Sequence, residues 1–473
     1  MDREAEQGSQ GSRLGSSLYH EMVVRLVKIL NVVLVTIPFV LCWLLYYTSH
    51  IVIMPSTLRS VVIIAMFVLL YCFFGRVYDA FHLSIDRISE MFISQLLSVL
   101  MADGFMFITL WMLSGSFPNM LPALAALAGQ LLLSLLWCKY AHTWYFRNFS
   151  GRQTTVIYGT AGDWTELNTQ LAESRKFHVV KCIAAADCDD MRELDGMDAV
   201  FLVNVPVNGR NAILKHCIAN KIRLYLVPCI SDVIMSGAER VHMFHLPMLS
   251  VESFNPPPEF VLTKRAFDIF ISALLIVLTS PLMLGVAIAI KAQDGGPVLY
   301  KQTRLTKDGK TFHILKFRSM RTDAEKDGVA RLSSGSNDSR ITPVGRFIRS
   351  CRLDELPQLF NVFAGSMSIV GPRPERPEIA AQYEQTMPEF HLRLQAKAGI
   401  TGYAQVYGKY NTEPHDKLEM DLMYIAHASV IEDIKIIFAT IRILFDKEST
   451  EGVETSSTTA MRKHADSTEK IDA

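Results

Sequence analysis

The sequence has no net charge with which to attract a polyanion. Its 47 Lys and Arg balance 47 Asp and Glu across 473 residues, and no nucleic-acid partner is expected. The eight cysteines, Cys42, Cys72, Cys138, Cys182, Cys188, Cys217, Cys229 and Cys351, include no CxxC pair. No His-rich spacing accompanies them, which argues against a zinc site and a disulfide framework. The N-terminus lacks a short apolar core followed by a small-residue cleavage site, so no removable signal peptide is expected. There is no internal repeat, no full GxGxxG and no DxD-like element beyond "DCDD" at 187–190.

Hydrophobic residues are abundant, at 50% of the chain, more than an ordinary cytosolic enzyme of this length carries. After a polar segment, 1–18, read as a disordered tail, four apolar runs follow at about 23–47, 57–74, 93–114 and 119–138, each near the ~20 residues that cross a bilayer. The connections "YTSHIVIMPST" and "SGSFPN" hold almost no Lys or Arg. The other flanks carry Arg13, Arg25 and Lys28, then Arg76 and Arg87, then Lys139, Arg147 and Arg152. Basic flanks stay in the cytoplasm, which puts both ends of a four-span bundle (19–148) there.

Residues 149–252 change character. "TTVIYGTAG", "MDAVFLVNV" and "IRLYLVPCI" read as buried strands, with helical stretches "WTELNTQLAES" and "NAILKHCIANK" between. That alternation predicts a small, doubly wound, Rossmann-like α/β domain. Without the full glycine fingerprint, a structural or regulatory role is preferred to a dinucleotide site.

The linker "VESFNPPPEF" leads to a fifth apolar run, Ile269–Ile290. Ser280 and Pro281 sit at its centre, where proline removes a helix hydrogen bond. Lys264 and Arg265 precede it and Lys291 follows. Basic flanks at both ends favour a re-entrant hairpin that turns at Ser280-Pro281; a kinked full span is the alternative. A domain at 253–446 contains this run and ends in the amphipathic stretch "SVIEDIKIIFATIRILFD". Residues 447–473 read as disordered.

Chemistry concentrates between Lys264 and Gly408. Lys316, Arg318, Arg346, Arg349, Arg373 and Lys397 supply cations. Arginine forks suit phosphate oxygens, and the glycine loops "GSMSIVGPRPE" and "GITGYAQVYGK" let backbone N–H groups approach an anion. Carboxylates beside such groups can hold Mg²⁺ together with substrate phosphates. In "RSCRLDELPQLFNV", Asp354 and Glu355 are helix neighbours about 100° apart. They suit different tasks: one to attack phosphorus, the other to orient or hold water. Leu356, Leu359 and Phe360 offer an apolar face that fixes this helix. Phosphoryl transfer at a membrane surface is the chemistry these residues suggest.

The segment Lys264–Phe445 resembles the catalytic domain of bacterial polyprenyl-phosphate hexose-1-phosphate transferases, the monotopic phosphoglycosyl transferases. "KRAFD", the Ser280-Pro281 break, "KFRSM", "LDELPQLFNV", "SIVGPRP" and "GITGYAQVYGK" carry the resemblance, in one order across about 180 residues. Its large members share the architecture of four spans and a small α/β domain. The resemblance implies transfer of sugar-1-phosphate from a UDP-sugar to undecaprenyl phosphate, with release of UMP. It implies a covalent phosphosugar on Asp354, Glu355 as the partner carboxylate, and Mg²⁺ held with help from Asp354. Lys316, Arg349 and Arg373 fall where phosphate contacts are expected, with Arg318, Lys397 and Gln405 counted among the substrate-binding residues. Lys264, Arg265 and Asp268 are expected to anchor the membrane hairpin. The family loop usually ends in Gly-Arg; here it reads Gly408-Lys409, which keeps the charge and loses the fork. A cytosolic donor would place the catalytic domain on the cytoplasmic face of a bacterial inner membrane, in contact with membrane lipid.

Glucose or galactose is the expected sugar, for exopolysaccharide, capsule or O-antigen synthesis. A dimer contact or a regulatory role is considered for the α/β domain, and with it a homodimer. One rival is a glycosyltransferase that releases UDP, disfavoured by the missing DxD element. A non-enzymatic sensor or scaffold is the other, disfavoured by the intact dyad. A transporter gains little support, since the bundle's intramembrane charge is chiefly Asp103.

Overall fold

The computed structural model of the chain describes residues 2–48, 56–83, 88–149, 152–159, 167, 171, 176–188, 191–254, 256–321, 340–408 and 414–443. It divides into two compact units, Met1–Val227 and Pro228–Ala473.

The first unit opens with four long helices: α1 (Asp2–Cys42), α2 (Ser56–Val77), α3 (Ile88–Ser114) and α4 (Met120–Phe149). All four are long and apolar enough to cross a membrane. α1 begins within the segment expected to be a tail; no proline stands between Asp2 and Pro38 to stop it. A π-helical turn, Trp43–Tyr47, extends α1. Inside the helix packing, the Tyr71 hydroxyl donates to Asn31 Oδ1 at 2.7 Å and lies 2.5 Å from Gln95 Oε1. Gln95 Nε2 in turn donates to the Ala80 carbonyl at 2.6 Å. Polar groups in lipid must find partners internally; Tyr71 and Gln95 do, while Asn31 Nδ2 finds none among the described residues.

The α/β part follows, with β1 (Arg152–Tyr158), β2 (Phe177–Ala184), β3 (Ala199–Val203) and β4 (Arg223–Leu226) forming one parallel sheet in the order β2-β1-β3-β4. α5 (Val207–Ala219) connects β3 to β4. β2 is a strand that the sequence reading passed over. None of its residues is fully buried, with four of eight half-buried and four exposed, so no buried apolar run marks it. Residues 160–162 of "GTAG", most of "WTELNTQLAES", and Asp189 and Asp190 of "DCDD" lie outside the described residues.

The boundary of the second unit differs from the expected 252/253. α6 (Ile230–Ser236) and the hairpin of β5 (Glu239–Met243) with β6 (Leu246–Ser250) fall within it. The reason is packing: Val233 joins the core formed by Val362, Met367, Leu418, Leu422 and Ile436.

α7 (Pro258–Asp294) carries the fifth apolar run as one 37-residue helix with Pro281 inside. The helix is not broken at Ser280-Pro281; Ser280 Oγ donates to the Val277 carbonyl at 2.8 Å, occupying a group of the preceding turn. Beyond it come the antiparallel pair β7 (Leu299–Leu305) and β8 (Thr311–Phe317), then α8 (Pro343–Ser350) and α9 (Gln358–Ala364). β9 (Ser368–Val370) pairs in parallel with β10 (Gly399–Thr401), with α10 (Pro377–Thr386) between them. α11 (Tyr403–Tyr407), α12 (Pro414–Ala426) and α13 (Val430–Ile443) complete the unit. The segment from 447 lies outside the described residues.

Candidate active site

α8 starts at a conventional cap. The Thr342 side chain accepts from the Gly345 N–H at 3.0 Å, with Pro343 in the first turn. The helix ends at Cys351, and Arg352 takes a left-handed conformation with φ 53°. A single 3₁₀ turn, Leu353–Glu355, then carries the acidic pair before α9. The pair therefore sits on a tight turn between two helices, where an α-helix was expected. In a turn of three residues, neighbours diverge by about 120°, so the two acids still face different surroundings. Leu353 and Leu356 pack against Met283, Val286 and Ile290 of α7 together with Phe317 and Ile348.

Glu355 is the hub of the charges. Lys316 Nζ, near the end of β8, donates to Glu355 Oε1 at 2.8 Å. Arg373 Nη2 donates to the same oxygen at 2.9 Å. Burial alone would raise this carboxyl, but the two cations win and hold it well below the usual carboxylate range. Asp354 behaves oppositely. Burial, and then the charge of Glu355, push its carboxyl up to about 6 against the pull of Lys316, Arg349 and Arg373. No hydrogen bond or ion pair reaches the Asp354 carboxylate among the described residues. A carboxylate so placed accommodates a further cation. Mg²⁺, which takes one or two carboxylates plus phosphate oxygens, fits the donor set. Arg349 Nη1 is buried without a hydrogen-bond partner among the described residues, a donor that could serve an anion beside Asp354.

Two supports hold this arrangement. Asn361 of α9 locks onto β8: its Nδ2 donates to the His313 carbonyl at 2.8 Å, and its Oδ1 accepts from the Leu315 N–H at 2.9 Å. That tie sets Lys316 opposite Glu355. The Arg373 turn is held by its backbone. Arg393 Nη2 donates to the Arg373 carbonyl at 2.9 Å, and Arg304 Nη1 donates to that of Pro374 at 2.9 Å. Gly371 and Gly399 meet so closely that a Cβ on Gly371 would lie 2.2 Å from the Lys397 carbonyl oxygen, which leaves room for glycine alone.

The family model described as "Bacterial sugar transferase" matches residues 260–447, the stretch just built. The exopolysaccharide production protein PSS of Rhizobium leguminosarum bv. phaseoli is 42% identical over 187 residues, 38% of this chain and 92% of that protein. The chain belongs to the bacterial sugar transferase family. It is also 38% identical to the UDP-N-acetylgalactosamine-undecaprenyl-phosphate N-acetylgalactosaminephosphotransferase of Aeromonas hydrophila, over 49% of this chain and 54% of that one. With the UDP-glucose:undecaprenyl-phosphate glucose-1-phosphate transferase of Escherichia coli K12 it shares 42% identity over 44% of each. The matches to these last two span about half of the relatives' length.

Within the bacterial sugar transferase domain, the expected anchors take definite partners. Lys264 Nζ donates to Asp433 Oδ2 at 2.5 Å, and to the Tyr424 hydroxyl and the Val370 carbonyl at 3.1 Å each. Arg265 donates to the Val362 and Phe363 carbonyls at 2.7 and 2.8 Å, next to Gly365, whose φ of 94° ends α9. Asp268 accepts from Ser368 Oγ at 3.1 Å and from the Ile369 N–H at 3.0 Å.

Two expected phosphate ligands sit apart from the dyad's hydrogen bonds. Arg318 is buried and pairs with Asp294 at the far end of α7. Lys397 donates to the Gly365 carbonyl at 3.2 Å and has Arg265 and Asp268 as charged neighbours. Gln405, on α11, keeps both amide atoms buried and without a hydrogen-bond partner among the described residues. Lys409 lies outside the described residues. Asn361, Arg393, Tyr424 and Asp433 were missed by the sequence reading. Asp433 was legible: it stands three residues before the fully buried Ile436 on the apolar stripe of α13, where an acid needs a partner.

Proposed function

We propose that the chain transfers sugar-1-phosphate from a UDP-sugar to undecaprenyl phosphate and releases UMP, the first membrane step of exopolysaccharide, capsule or O-antigen synthesis. The observation that carries the reading is the split dyad: Glu355 engaged by Lys316 and Arg373, and Asp354 without a hydrogen-bond partner among the described residues. A carboxylate oxygen of Asp354 attacks the phosphorus that bears the sugar. The Asp–O–P bond forms, the bridging P–O bond to UMP breaks, and UMP leaves with the bridging oxygen and its electron pair. An oxygen of undecaprenyl phosphate then attacks the same phosphorus and frees Asp354. Bound Mg²⁺, held with Asp354, would neutralise phosphate charge. Lys316, Arg349 and Arg373 supply fixed positive charge where negative charge develops, the main source of phosphoryl-transfer catalysis. Glucose, galactose and N-acetylgalactosamine are the donors to try first, the last because the Aeromonas relative bears that sugar in its name.

A re-entrant α7 suits an acceptor whose phosphate sits at the bilayer surface. Two sets of ties support it. Lys264, Arg265 and Asp268 bind residues 362–433, while Ile290 and Asp294 meet Phe317 and Arg318.

The deciding experiment supplies full-length protein with each UDP-sugar, undecaprenyl phosphate and Mg²⁺, and identifies the nucleotide released. UMP is expected. UDP would mean transfer of the sugar alone and would remove Asp354 as nucleophile.

A further inference from the structure

Asp421 stands on the core face of α12, flanked by Leu418 and Leu422, both buried in the main cluster of the second unit. Its side chain is 2% exposed. The partner is Arg393, 5% exposed, in the 3₁₀ stretch Pro388–Gln395; Arg393 Nη2 lies 2.6 Å from Asp421 Oδ2. Burial pushes the Asp421 carboxyl up, and Arg393 is the main charge opposing that shift. Taking two charges out of water is costly, and a buried ion pair stabilises a fold little better than well-packed apolar groups of comparable volume. Packing alone therefore gives no reason for an acid at this position.

The geometry supplies one. The same Arg393 Nη2 donates to the Arg373 carbonyl at 2.9 Å, and the guanidinium carbon lies 4.9 Å from the centre of the Phe390 ring. The acid and the ring together fix the guanidinium, so that its N–H meets the backbone of Arg373. Beyond residue 373 other groups take over. Arg304 donates to the Pro374 carbonyl, and the Leu305 N–H donates to the Glu375 carbonyl, each at 2.9 Å. Those two set the path of the chain that follows. Arg393 holds the peptide of Arg373 itself, from which the side chain reaches Glu355 Oε1.

We infer that Arg393 and Asp421 are positioning residues for the transfer: α12 holds Asp421, Asp421 aims Arg393, and Arg393 sets the Arg373 peptide so that its guanidinium meets Glu355 beside Asp354. The inference rests on Arg373 serving the reaction proposed above. Neither residue touches the dyad. Their charges are kept in the core to orient a third residue, a task that apolar side chains of the same bulk cannot perform because they have no N–H to give the Arg373 carbonyl.

The test compares full-length wild type with the double variant Arg393→Met, Asp421→Leu. That variant should melt near the wild-type temperature, since the fold does not need the charges. Its kcat/KM for UMP release should fall at least about tenfold, the scale of one hydrogen bond to a charged group. With Arg373→Ala already present, the same double change should cost no more than about twofold further, because both act through Arg373. Carbon-13 NMR of labelled arginine reads the positioning without turnover. The Arg373 resonance, identified by its absence in Arg373→Ala, should shift in the double variant as its contact with Glu355 is lost. Asp421→Asn, which keeps the volume and removes the charge, should give the same pattern at smaller size, and it decides the matter should the double variant not fold. Wild-type turnover in these variants, an unmoved Arg373 resonance, or a loss that multiplies with that of Arg373→Ala would each overturn the inference. Release of UDP by the wild type would sink the proposed chemistry instead, and the NMR comparison would still decide the positioning.

Discussion

At the residue scale, two adjacent carboxyls are driven in opposite directions. Glu355 is ionised by Lys316 and Arg373; Asp354 is raised by burial and by Glu355 itself. The consequence for stability has a definite sign. The folded chain holds the Asp354 proton more tightly than the unfolded chain does, so the stability from this group is full below about pH 4 and is lost as pH rises through about 6. At neutral pH the ionised group costs on the order of 2–3 kcal/mol. Asp354→Asn is therefore expected to raise the melting temperature in metal-free detergent at pH 7.5 while abolishing the covalent adduct and cutting turnover by at least about a thousandfold. Substantial residual turnover would remove it as the nucleophile. Glu355→Gln should do the reverse for stability. It strands Lys316 and Arg373, costing about 2 kcal/mol, less than the ~3–5 kcal/mol of a fully buried pair because Arg373 is 46% exposed. With the neighbouring charge gone, Asp354 should ionise at lower pH, and carbon-13 NMR of labelled aspartate would show the midpoint move down.

At the element scale, the domain is held by side chains that bridge segments far apart in sequence. Lys264 on α7 reaches Asp433 on α13 and Tyr424 on α12, and the two carboxylate oxygens of Asp433 serve one partner each. Lys264→Met leaves an Asp433 that is 3% exposed without its cation, and should cost about 3–5 kcal/mol. The double variant Lys264→Met with Asp433→Leu should recover part of that loss in a melting experiment. No recovery would mean that Lys264 acts through Val370 rather than through its charge partner. The dyad turn shows how far sequence reads at this scale. Asp354 and Glu355 were recognisable as a pair with distinct tasks. That they sit on a 3₁₀ turn after a left-handed Arg352 was not, because no glycine or proline marks position 352. Arg318 and Lys397 were grouped with the phosphate cations, and their hydrogen bonds to the ends of α7 and α9 could not be read from the sequence.

At the scale of the whole molecule, the charge pattern predicts sidedness. Single cysteines at Glu259 and Gln293, either end of α7, should react with a membrane-impermeant maleimide from the same, cytoplasmic side. A cysteine in the 115–119 connection should react from the other side. Labelling of Glu259→Cys and Gln293→Cys from opposite sides would make α7 a full span and would separate residues after 294 from cytosolic donors.

Composition and order along the chain were enough to determine the long apolar helices, the parallel α/β unit and the run of motifs that places the chain in its family. Each depends on local chemistry: apolar length, β-branched runs, and acids and arginines beside glycine and proline. Tertiary structure decided what those residues do to one another. It joined α6 to the core of the second unit through Val233, kept α7 helical through Pro281, and gave Glu355 two hydrogen-bonded cations while giving Asp354 none among the described residues. The packing of Val233 and the pairing of Glu355 depend on contacts between residues 18 or more positions apart, and a linear pattern carries no measure of those distances.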